Sequence, residues 1–516
     1  MTLNPLFLHQ DASSVEQQLA RLAFEPFIDL DERGRPVPAL LSSIPARDNG
    51  GLSADGRTIV YHLRPSVRWS DGVPVTSDDV LFTLHAIVDP RNPVRSHEGY
   101  NLIDQFSAPD AHTVIFHLRH AWAPAVMTYF SYGFAPQFVL PAHILKAQMR
   151  GLSPSMSSIP LNQIPFNTAP TVGDGPYSFA AWHHGDNLTY VANQRYWRGK
   201  PNIPQLNIRI VPDPQTNLVL LRSGQLDWNL IAPSQEADVT GASGITVTPA
   251  MGIFRVPTSV IAGIVLNTKH SPLDDVRVRR AIAMSIDRDA ISQKITLGAY
   301  PVTNMLQPQF SWAYNPAIKE PSFNTGDADR LLDQAGWRCN HVAGSDSGCV
   351  RSKSGKRLEL TYVQFPETTT GVRVATVVQE ELRARGFDIT LKSISNAQLF
   401  LPRTGVLASG EFDLAYVPFT MGADPDDSSI LACNGASNYM RWCNAKVGKL
   451  ESLALTATSR SERKRYYTQI AGAVDQEVPL VFLFNAYYIY AYRGRLHNFM
   501  PNAFLPTWNA YNWKLY

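Results

Sequence analysis

Polar and apolar residues alternate in two short segments of the first quarter of the chain. Residues 57–63 have the sequence RTIVYHL and residues 112–119 have the sequence HTVIFHLR, with β-branched residues in both. Alternation of this kind turns one face of a strand toward a core and the other toward solvent, so both segments are predicted to be half-buried strands. His62 and His117 hold matching places in them, and we interpret both as solvent-facing residues rather than as metal ligands.

Helical patterns lie between and after these strands. Thr76 to Asp79 has the form of a capping box ahead of the apolar run VLFTLHAIV, which predicts that a helix begins there. Farther along, an amphipathic helix is predicted over residues 372–385, Gly386 ends it, and the alternating strand FDITLKSI follows. The apolar run VPLVFLF at 478–484 predicts a buried strand. Helix–glycine–strand units of this kind favour an α/β lobe with a partly parallel sheet.

The composition is that of an ordinary globular protein, with 44% hydrophobic and 17% charged residues. A length of 516 residues favours roughly two to four domains. The 46 basic and 44 acidic residues leave a net charge of +2, which gives no electrostatic reason to expect a nucleic-acid partner. Residues 1–30 lack the pattern of a secretion signal, and no apolar run approaches the roughly 18 residues of a membrane span. We therefore expect a chain without a membrane span; if it is exported, its signal segment has been removed from this sequence or was never included in it.

The four cysteines form two local pairs, Cys339 with Cys349 and Cys433 with Cys443. An even number in short-range pairs is typical of disulfides made in an oxidising compartment. The alternative to disulfides is four free buried thiols. A zinc site is not expected, because neither pair has the spacing of zinc ligands. Each disulfide would close a loop of about ten residues and would contribute about 2–3 kcal/mol to stability if unstrained.

The sequence lacks the usual motifs of enzymes and cofactor sites. It contains no GxSxG, HExxH, P-loop or CxxC motif, and the VGDG segment at 172–175 precedes a strand rather than a phosphate-binding helix. Asp424, Asp426 and Asp427 put three carboxylates in one short loop, but neighbours in a tight loop do not straddle a scissile bond as the acids of a glycosidase do. The residues therefore predict neither a cofactor nor an enzyme.

Several segments spread along the chain resemble the family-5 extracellular solute-binding proteins of ABC transporters, which include peptide and nickel binders. In chain order they are TLNPLF, GRTIVYHLRPSVRWSDGVPVTSDDV, VLPAHIL, GDGPYSF, VRRAIAMSIDRDAI, ADRLLDQAGW and ADPDD. The block from Trp69 to Val80 and the block VRRAIAMSIDR carry most of the specificity, because a single helix or turn would be common to many families.

The resemblance implies an α/β fold of two lobes joined by crossing strands, with mixed sheets and an extra domain on the first lobe. Carried over to this chain, lobe one comprises residues 1–40, 170–255 and 485–516, the extra α/β domain comprises residues 41–169, and lobe two comprises residues 256–484. The strands VIAGIVLN and VFLFNAYYIY would be the hinge connections, and the two lobes would close over a solute by a hinge motion.

The resemblance also implies where a ligand would be held. In members that bind peptides, an Asp shortly before an acidic-Pro pair contacts the α-amine of the ligand. The pair here is Asp424-Pro425, and an ungapped match puts Met421 at the place of that Asp. Either Asp424, Asp426 or Asp427 replaces it after a small loop shift, or the solute has no free amine. A cation site and a solvated helix-capping loop are two other interpretations of the same acidic segment.

Three further residues are candidate ligand contacts. Arg373 lies at the start of the predicted amphipathic helix, where some peptide binders keep a carboxylate-binding Arg; a surface or salt-bridged Arg is the alternative. Phe419 and Trp442 are candidate pocket walls, with core packing as the alternative. Tyr439 and Arg441 lie between the cysteines of the second pair, so a disulfide there would stiffen a loop near the ligand.

The implied function is that of a solute receptor, which captures peptides or a similar small solute in an interlobe cleft and delivers it to an ABC permease and its ATPase. The alternatives are a binder of a nickel chelate, an oligosaccharide or an opine-like solute, and a periplasmic sensor or chaperone. The expected partners are thus the ligand and the permease complex, with no nucleic acid. The chain is expected to be a monomer in the periplasm or at the extracellular face of the cell membrane.

Overall fold

The structure of the protein is a computed structural model that describes residues 2–7, 14–94, 96–132, 137–150, 159–241, 251–339, 349–401 and 403–516. The chain divides into two compact units. The first unit comprises Met1–Val256, Gly422–Asp424 and Tyr488–Tyr516, and the second comprises Pro257–Met421 and Pro425–Tyr487. The separation of an extra domain from lobe one, and the hinge role of the connecting strands, stay predictions.

The first unit combines short helices with short strands. Its helices are α1 Ser14–Ala23, α2 Ser77–Val88, α3 Ala125–Met127, α4 Ala142–Met149, α5 Pro214–Ser223 and α6 Glu236–Thr240. Its strands are β1 Ile28–Leu30, β2 Pro36–Pro38, β3 Thr58–His62, β4 Ile103–Asp110, β5 Thr113–Leu118, β6 Tyr177–His183, β7 Asn187–Ala192, β8 Gln205–Arg209, β9 Trp228–Ile231, β17 Leu496–His497 and β18 Lys514–Leu515. Two long strands, β10 Met251–Leu266 and β16 Leu480–Arg493, contribute residues to both units.

The two predicted strands of the first unit are confirmed and pair with each other. β3 and β5 run antiparallel with Thr58 opposite His117, in a sheet of order β3-β5-β4. His62 and His117 are exposed, as expected for the solvent side of a half-buried strand. The predicted capping box is also present, since the backbone N–H of Thr76 donates to Asp79 Oδ2 at 2.9 Å at the start of α2. A second antiparallel sheet has the order β6-β7-β8.

The second unit alternates helices and strands. Its helices are α7 Val276–Ser285, α8 Arg288–Thr296, α9 Thr325–Gln334, α10 Thr369–Arg383, α11 Asn396–Leu399, α12 Val406–Ser409, α13 Ser428–Leu431, α14 Ala445–Thr456 and α15 Arg460–Glu477. Its own strands are β11 Ser352–Lys353, β12 Lys356–Arg357, β13 Glu359–Gln364, β14 Asp388–Ser393 and β15 Leu414–Thr420. Single 3-10 turns elsewhere in the chain occupy Tyr100–Leu102, Leu161–Gln163, Pro165–Asn167, Pro233–Gln235 and Ala510–Asn512.

A mixed sheet forms the centre of the second unit, with the strand order β14-β13-β15-β10-β16. β13 is parallel to both β14 and β15, whereas β15 is antiparallel to β10. The α/β class and the partly parallel sheet predicted from the sequence are thus confirmed. Helix α10 begins three residues before the predicted start, because the Thr368 hydroxyl caps it by accepting the N–H of Gly371 at 3.4 Å. Within the described ranges, no helix combines the length and the apolarity needed to cross a membrane.

Candidate functional site

A cavity of about 900 Å³ lies within the second unit. Apolar side chains and cationic side chains both line it, among them Leu399, Phe400, Leu407, Tyr439, Lys269, Arg403 and Arg441. Among the residues that the structure describes, no Asp or Glu lines this cavity. A mainly apolar wall with a few charged groups at fixed places is the usual composition of a small-molecule site. We call it the cation-lined cavity.

One side of the cation-lined cavity is the loop of residues 433–443, here called the disulfide loop. Cys433 and Cys443 are joined by a disulfide, with their Cα atoms 4.5 Å apart. The Nδ2 atom of Asn438 donates to the carbonyl oxygens of Ala432 at 3.0 Å and Trp442 at 2.7 Å. The loop is therefore closed by a covalent bond and by side-chain hydrogen bonds, which limits its freedom before any ligand arrives.

The other predicted cysteine pair is also bonded. Cys339 and Cys349 form a disulfide with a Cα separation of 5.7 Å. The described part of the chain therefore has no free cysteine.

Backbone hydrogen bonds tie the disulfide loop to the turn that carries Lys269. The backbone N–H and the hydroxyl of Thr268 both donate to the carbonyl oxygen of Met440, at 2.9 and 3.1 Å. Next to it, Asn267 is fully buried, and its Nδ2 donates to the carbonyl oxygens of Gly410 and Phe412 at 3.0 and 3.1 Å. Three separate segments of the chain thus form one connected wall.

Arg441 is held against this wall by its backbone and by its side chain. Its φ is +53°, a left-handed conformation that is unusual for an arginine. Its Nη2 donates to the carbonyl oxygen of Ala408 at 2.8 Å. The guanidinium lies against Gly410, where a Cβ atom would clash with it, so the absence of a side chain at Gly410 is what admits this placement.

The two aromatic residues predicted as pocket walls are buried and do not line the cation-lined cavity. Phe419, in β15, is 4% exposed, and its ring stacks on that of Tyr439 with 6.3 Å between the ring centroids and 21° between the planes. Trp442 is 3% exposed, and its Nε1 donates to Glu477 Oε2 at 2.6 Å. Phe419 therefore supports a ring that does line the cavity, while the contacts of Trp442 are those of a core residue. Direct ligand contact by either stays a prediction.

Met421 is 3% exposed and packs in the apolar core of the second unit. Its backbone N–H donates to the carbonyl oxygen of Ser259 at 2.8 Å. The residue that the resemblance matches to an amine-binding Asp is thus apolar and buried, and the match itself stays a prediction.

The acidic segment after Met421 is divided among different environments. Asp424 is half-buried and belongs with Gly422 and Ala423 to the first unit. Asp426, in the second unit, is half-buried and its Oδ1 accepts the backbone N–H of Ser428 at 2.9 Å, as a residue at a helix start does. In the described ranges, no group of three or more His, Cys, Asp or Glu side chains is arranged to hold a metal ion.

Asp427 is not solvated, because it is buried against another carboxyl group. Asp427 and Glu451 are each 2% exposed, and their side chains contact each other. Gln307 Nε2 donates to Asp427 Oδ2 at 2.7 Å, but within the described part of the chain no N–H group reaches either oxygen of Glu451. Burial raises the pKa of both groups, and the charge of Asp427 raises that of Glu451 further. Two carboxyl groups in contact at a buried place favour a state in which the pair keeps one proton.

Arg373 lies on the outer face of α10 and is exposed. Its Nη2 donates to the carbonyl oxygen of Lys294 at 3.2 Å, and it does not line the cation-lined cavity. Its role as a carboxylate ligand stays a prediction.

Sequence reasoning missed Lys269, Arg403 and Phe400 as members of one site. They come from three segments that no spacing rule connects. The one sequence feature that pointed to this cavity was the position of Arg441 between the two cysteines of the second pair.

Comparison with known proteins agrees with this architecture. Residues 35–440 match the family described as bacterial extracellular solute-binding proteins, family 5. Protein XP55 of Streptomyces lividans is 29% identical over 473 residues, covering 89% of this chain and 78% of that protein. The oligopeptide-binding protein AppA of Bacillus subtilis is 22% identical over 486 residues, covering 93% of this chain and 83% of that protein.

Similarity to a solved structure extends over the whole chain. The crystal structure of NikA from Brucella suis, in complex with Fe(III)-EDTA, matches with a TM-score of 0.80 at 21% identity. The match covers 100% of this chain and 97% of that one, and at this identity it supports the fold alone. The family match spans far more than half of the chain, so this protein belongs to the bacterial extracellular solute-binding proteins of family 5.

Proposed function

We propose that the protein is the solute receptor of an ABC importer, and that it binds peptides or a similar small solute at the outer side of the cell membrane and passes it to a permease. Family-5 proteins are binding receptors, so the chain is not an enzyme. The observation that carries the proposal is the family match over residues 35–440. The oligopeptide-binding protein AppA among the relatives supports a peptide as the solute.

A solute other than a free peptide is the second candidate, and one observation favours it. Met421 is apolar and buried at the place where a peptide binder carries its amine-binding Asp. A ligand ammonium group buried there without a partner would cost several kcal/mol, which would exclude it. NikA, whose structure was solved with Fe(III)-EDTA, shows that a protein of this fold accommodates a ligand that is not a peptide.

Native mass spectrometry of gently purified protein tests the proposal, because a receptor retains a fraction of its solute through mild purification. We expect a non-covalent adduct whose mass identifies the class of solute. A thermal-shift series from dipeptides to pentapeptides follows, since a ligand at 100 times its Kd raises the free energy of unfolding by about 2.7 kcal/mol. No shift with any peptide would refute a peptide solute. No adduct and no stabilising solute of any class would refute the receptor function itself.

A further inference from the structure

We infer that the disulfide between Cys433 and Cys443 is a reaction site for small anionic thiols, which the cations of the cation-lined cavity attract to its sulfur atoms. The reagent class is a low-molecular-weight thiol that carries a carboxylate or sulfonate group. Such a thiol modifies the protein and is not the solute that the receptor transports, so the reaction does not depend on the identity of that solute. The product is a mixed disulfide on one of the two cysteines.

The disulfide is accessible from solvent. Cys433 and Cys443 are both exposed, and both line the cation-lined cavity. The other disulfide closes a loop of the same length, but Cys339 and Cys349 are half-buried and do not line this cavity. Thiol–disulfide exchange begins with the approach of a thiolate to a sulfur atom, so access affects its rate, and exposed disulfides are the more labile ones. The chain thus contains both a candidate site and an internal reference of equal loop length.

The charges around the disulfide favour an anionic reagent. Lys269 and Arg403 are exposed and Arg441 is half-buried, and all three line the cavity together with the two cysteines. No Asp or Glu lines it among the residues that the structure describes. Cations attract the attacking thiolate together with any further anionic group of the reagent, and they stabilise the cysteine thiolate that leaves. A neutral thiol of the same shape lacks the attraction of the further anionic group.

Arg441 is fixed beside the disulfide before a reagent arrives. It lies inside the disulfide loop, and its Nη2 donates to the carbonyl oxygen of Ala408 at 2.8 Å. Its guanidinium also lies against Gly410, where a Cβ atom would clash with it. A side chain that is already held loses less conformational entropy when it contacts an anion. The cavity volume of about 900 Å³ leaves room for a thiol as large as a short peptide.

The reaction is an exchange that needs no other oxidant or reductant. The thiolate of the reagent attacks one cysteine sulfur, a bond forms between these two sulfur atoms, and the bond between Cys433 and Cys443 breaks. The electron pair of the broken bond leaves with the other cysteine as a thiolate, which takes up a proton from water. A reagent with a second thiol then attacks the mixed disulfide, which leaves two cysteine thiols on the protein and a disulfide in the reagent.

Opening the disulfide leaves the loop held by hydrogen bonds. Asn438 still donates to the carbonyl oxygens of Ala432 and Trp442, and Thr268 still donates to that of Met440. The released thiolate therefore stays close to the mixed disulfide and can expel the reagent by the reverse exchange. The modification is thus reversible, and a dithiol is the better probe because its second thiol completes the reduction.

Two matched dithiols test the charge preference on the whole protein. 2,3-Dimercaptopropane-1-sulfonate and 2,3-dimercaptopropan-1-ol share one scaffold and differ in a sulfonate against a hydroxyl group. Acid quenching, alkylation and peptide mass spectrometry give the rate of reduction of each loop in the same sample. The rate for Cys433–Cys443 divided by that for Cys339–Cys349 corrects for the intrinsic reactivity of each reagent. At low ionic strength we expect this ratio to be about fivefold or more higher with the sulfonate, and the difference to shrink as salt screens the exposed charges.

Two double variants assign the preference to the cavity. Lys269→Gln with Arg403→Gln removes an exposed lysine and an exposed arginine from the cavity wall, and Lys464→Gln with Arg465→Gln removes the same two residue types from exposed positions that do not line it. The first double variant is expected to lose most of the preference for the sulfonate, and the second is expected to change it less than about twofold, because exposed charges act at short range. Equal unfolding midpoints in urea show that both variants remain folded.

The same measurement in concentrated urea separates the folded cavity from the local sequence. Unfolding disperses Lys269, Arg403 and Arg441, which come from three separate segments, so the preference for the sulfonate is expected to disappear. Four outcomes would overturn the inference. They are equal ratios for the two dithiols with the folded protein, equal effects of the two double variants, a preference that persists in urea, and a Cys433–Cys443 disulfide that neither dithiol reduces.

Discussion

Replacing Glu451 with Gln is expected to change how the stability of the protein depends on pH. Glu451 and Asp427 are buried together, and Gln307 is the one amide that donates to Asp427 Oδ2 within the described chain. Two ionised carboxylates in contact without a proton would repel each other in a region of low dielectric, so the folded pair keeps a proton that the unfolded chain releases. A Gln at position 451 keeps the shape of the side chain and donates an N–H permanently.

The size of the effect follows from the single retained proton. Burial and Asp427 raise the pKa of Glu451 above its ordinary value, so the folded state binds the proton more tightly than the unfolded state does. The stabilisation is complete below the unfolded pKa and is lost as the pH rises toward the folded pKa. In this range the free energy of unfolding falls by about 1.4 kcal/mol for each pH unit, or by about 3 kcal/mol from pH 6 to pH 8. The Glu451→Gln variant lacks this contribution.

Urea unfolding at pH 6, 7 and 8 measures the difference between the wild type and the variant. Glu320 and Glu381 also have a pKa raised to about 7, so the wild-type curve alone includes other groups, and only the difference isolates the pair. Glu411→Gln, an exposed carboxyl-to-amide change in the same unit, is the matched control and is expected to leave the profile unchanged. Parallel profiles for the wild type and Glu451→Gln would refute the shared proton.

Four further predictions concern stability, each measured by urea unfolding. Arg21→Met is expected to cost about 3–5 kcal/mol, because Arg21 is fully buried and lies 2.8 Å from Asp29. Arg35→Met removes an arginine whose side chain is 66% exposed, although its partner Asp31 is buried, and is expected to cost about 1 kcal/mol or less; equal costs would contradict the role of burial. Gly448→Ala, in the interior of α14 with open space around it, is expected to stabilise by about 0.5–1 kcal/mol. Gly410→Ala, at φ of +78° against the Arg441 guanidinium, is expected to destabilise by about 1 kcal/mol or more, and a gain in stability there would be inconsistent with the described wall. Cys433→Ser is expected to cost about 2–3 kcal/mol through loss of the ten-residue closure, and an unfolding midpoint of the wild type that reductant leaves unchanged would contradict this.

The sequence by itself determined the local elements of this protein and its family. Strands β3 and β5 were predictable because alternation of apolar and polar residues depends only on neighbours two positions apart. The start of α2 was predictable because a capping box is complete within four residues, from Thr76 to Asp79. The start of α10 was misplaced, because Thr368 as its cap lies before the amphipathic pattern that revealed the helix.

Only the tertiary structure decided what surrounds the candidate site residues. It buries Met421 in an apolar core, leaves Arg373 on a surface, and gives Asp427 a partner, Glu451, that is 24 positions away in the chain. Spacing rules could not connect these residues, because their contacts depend on how strands and loops from distant segments pack. The same is true of the cation-lined cavity, whose charges come from the turn after β10, the loop before α12 and the disulfide loop. Local hydrogen bonding is encoded within a few residues, whereas burial and the meeting of charges are properties of the assembled unit.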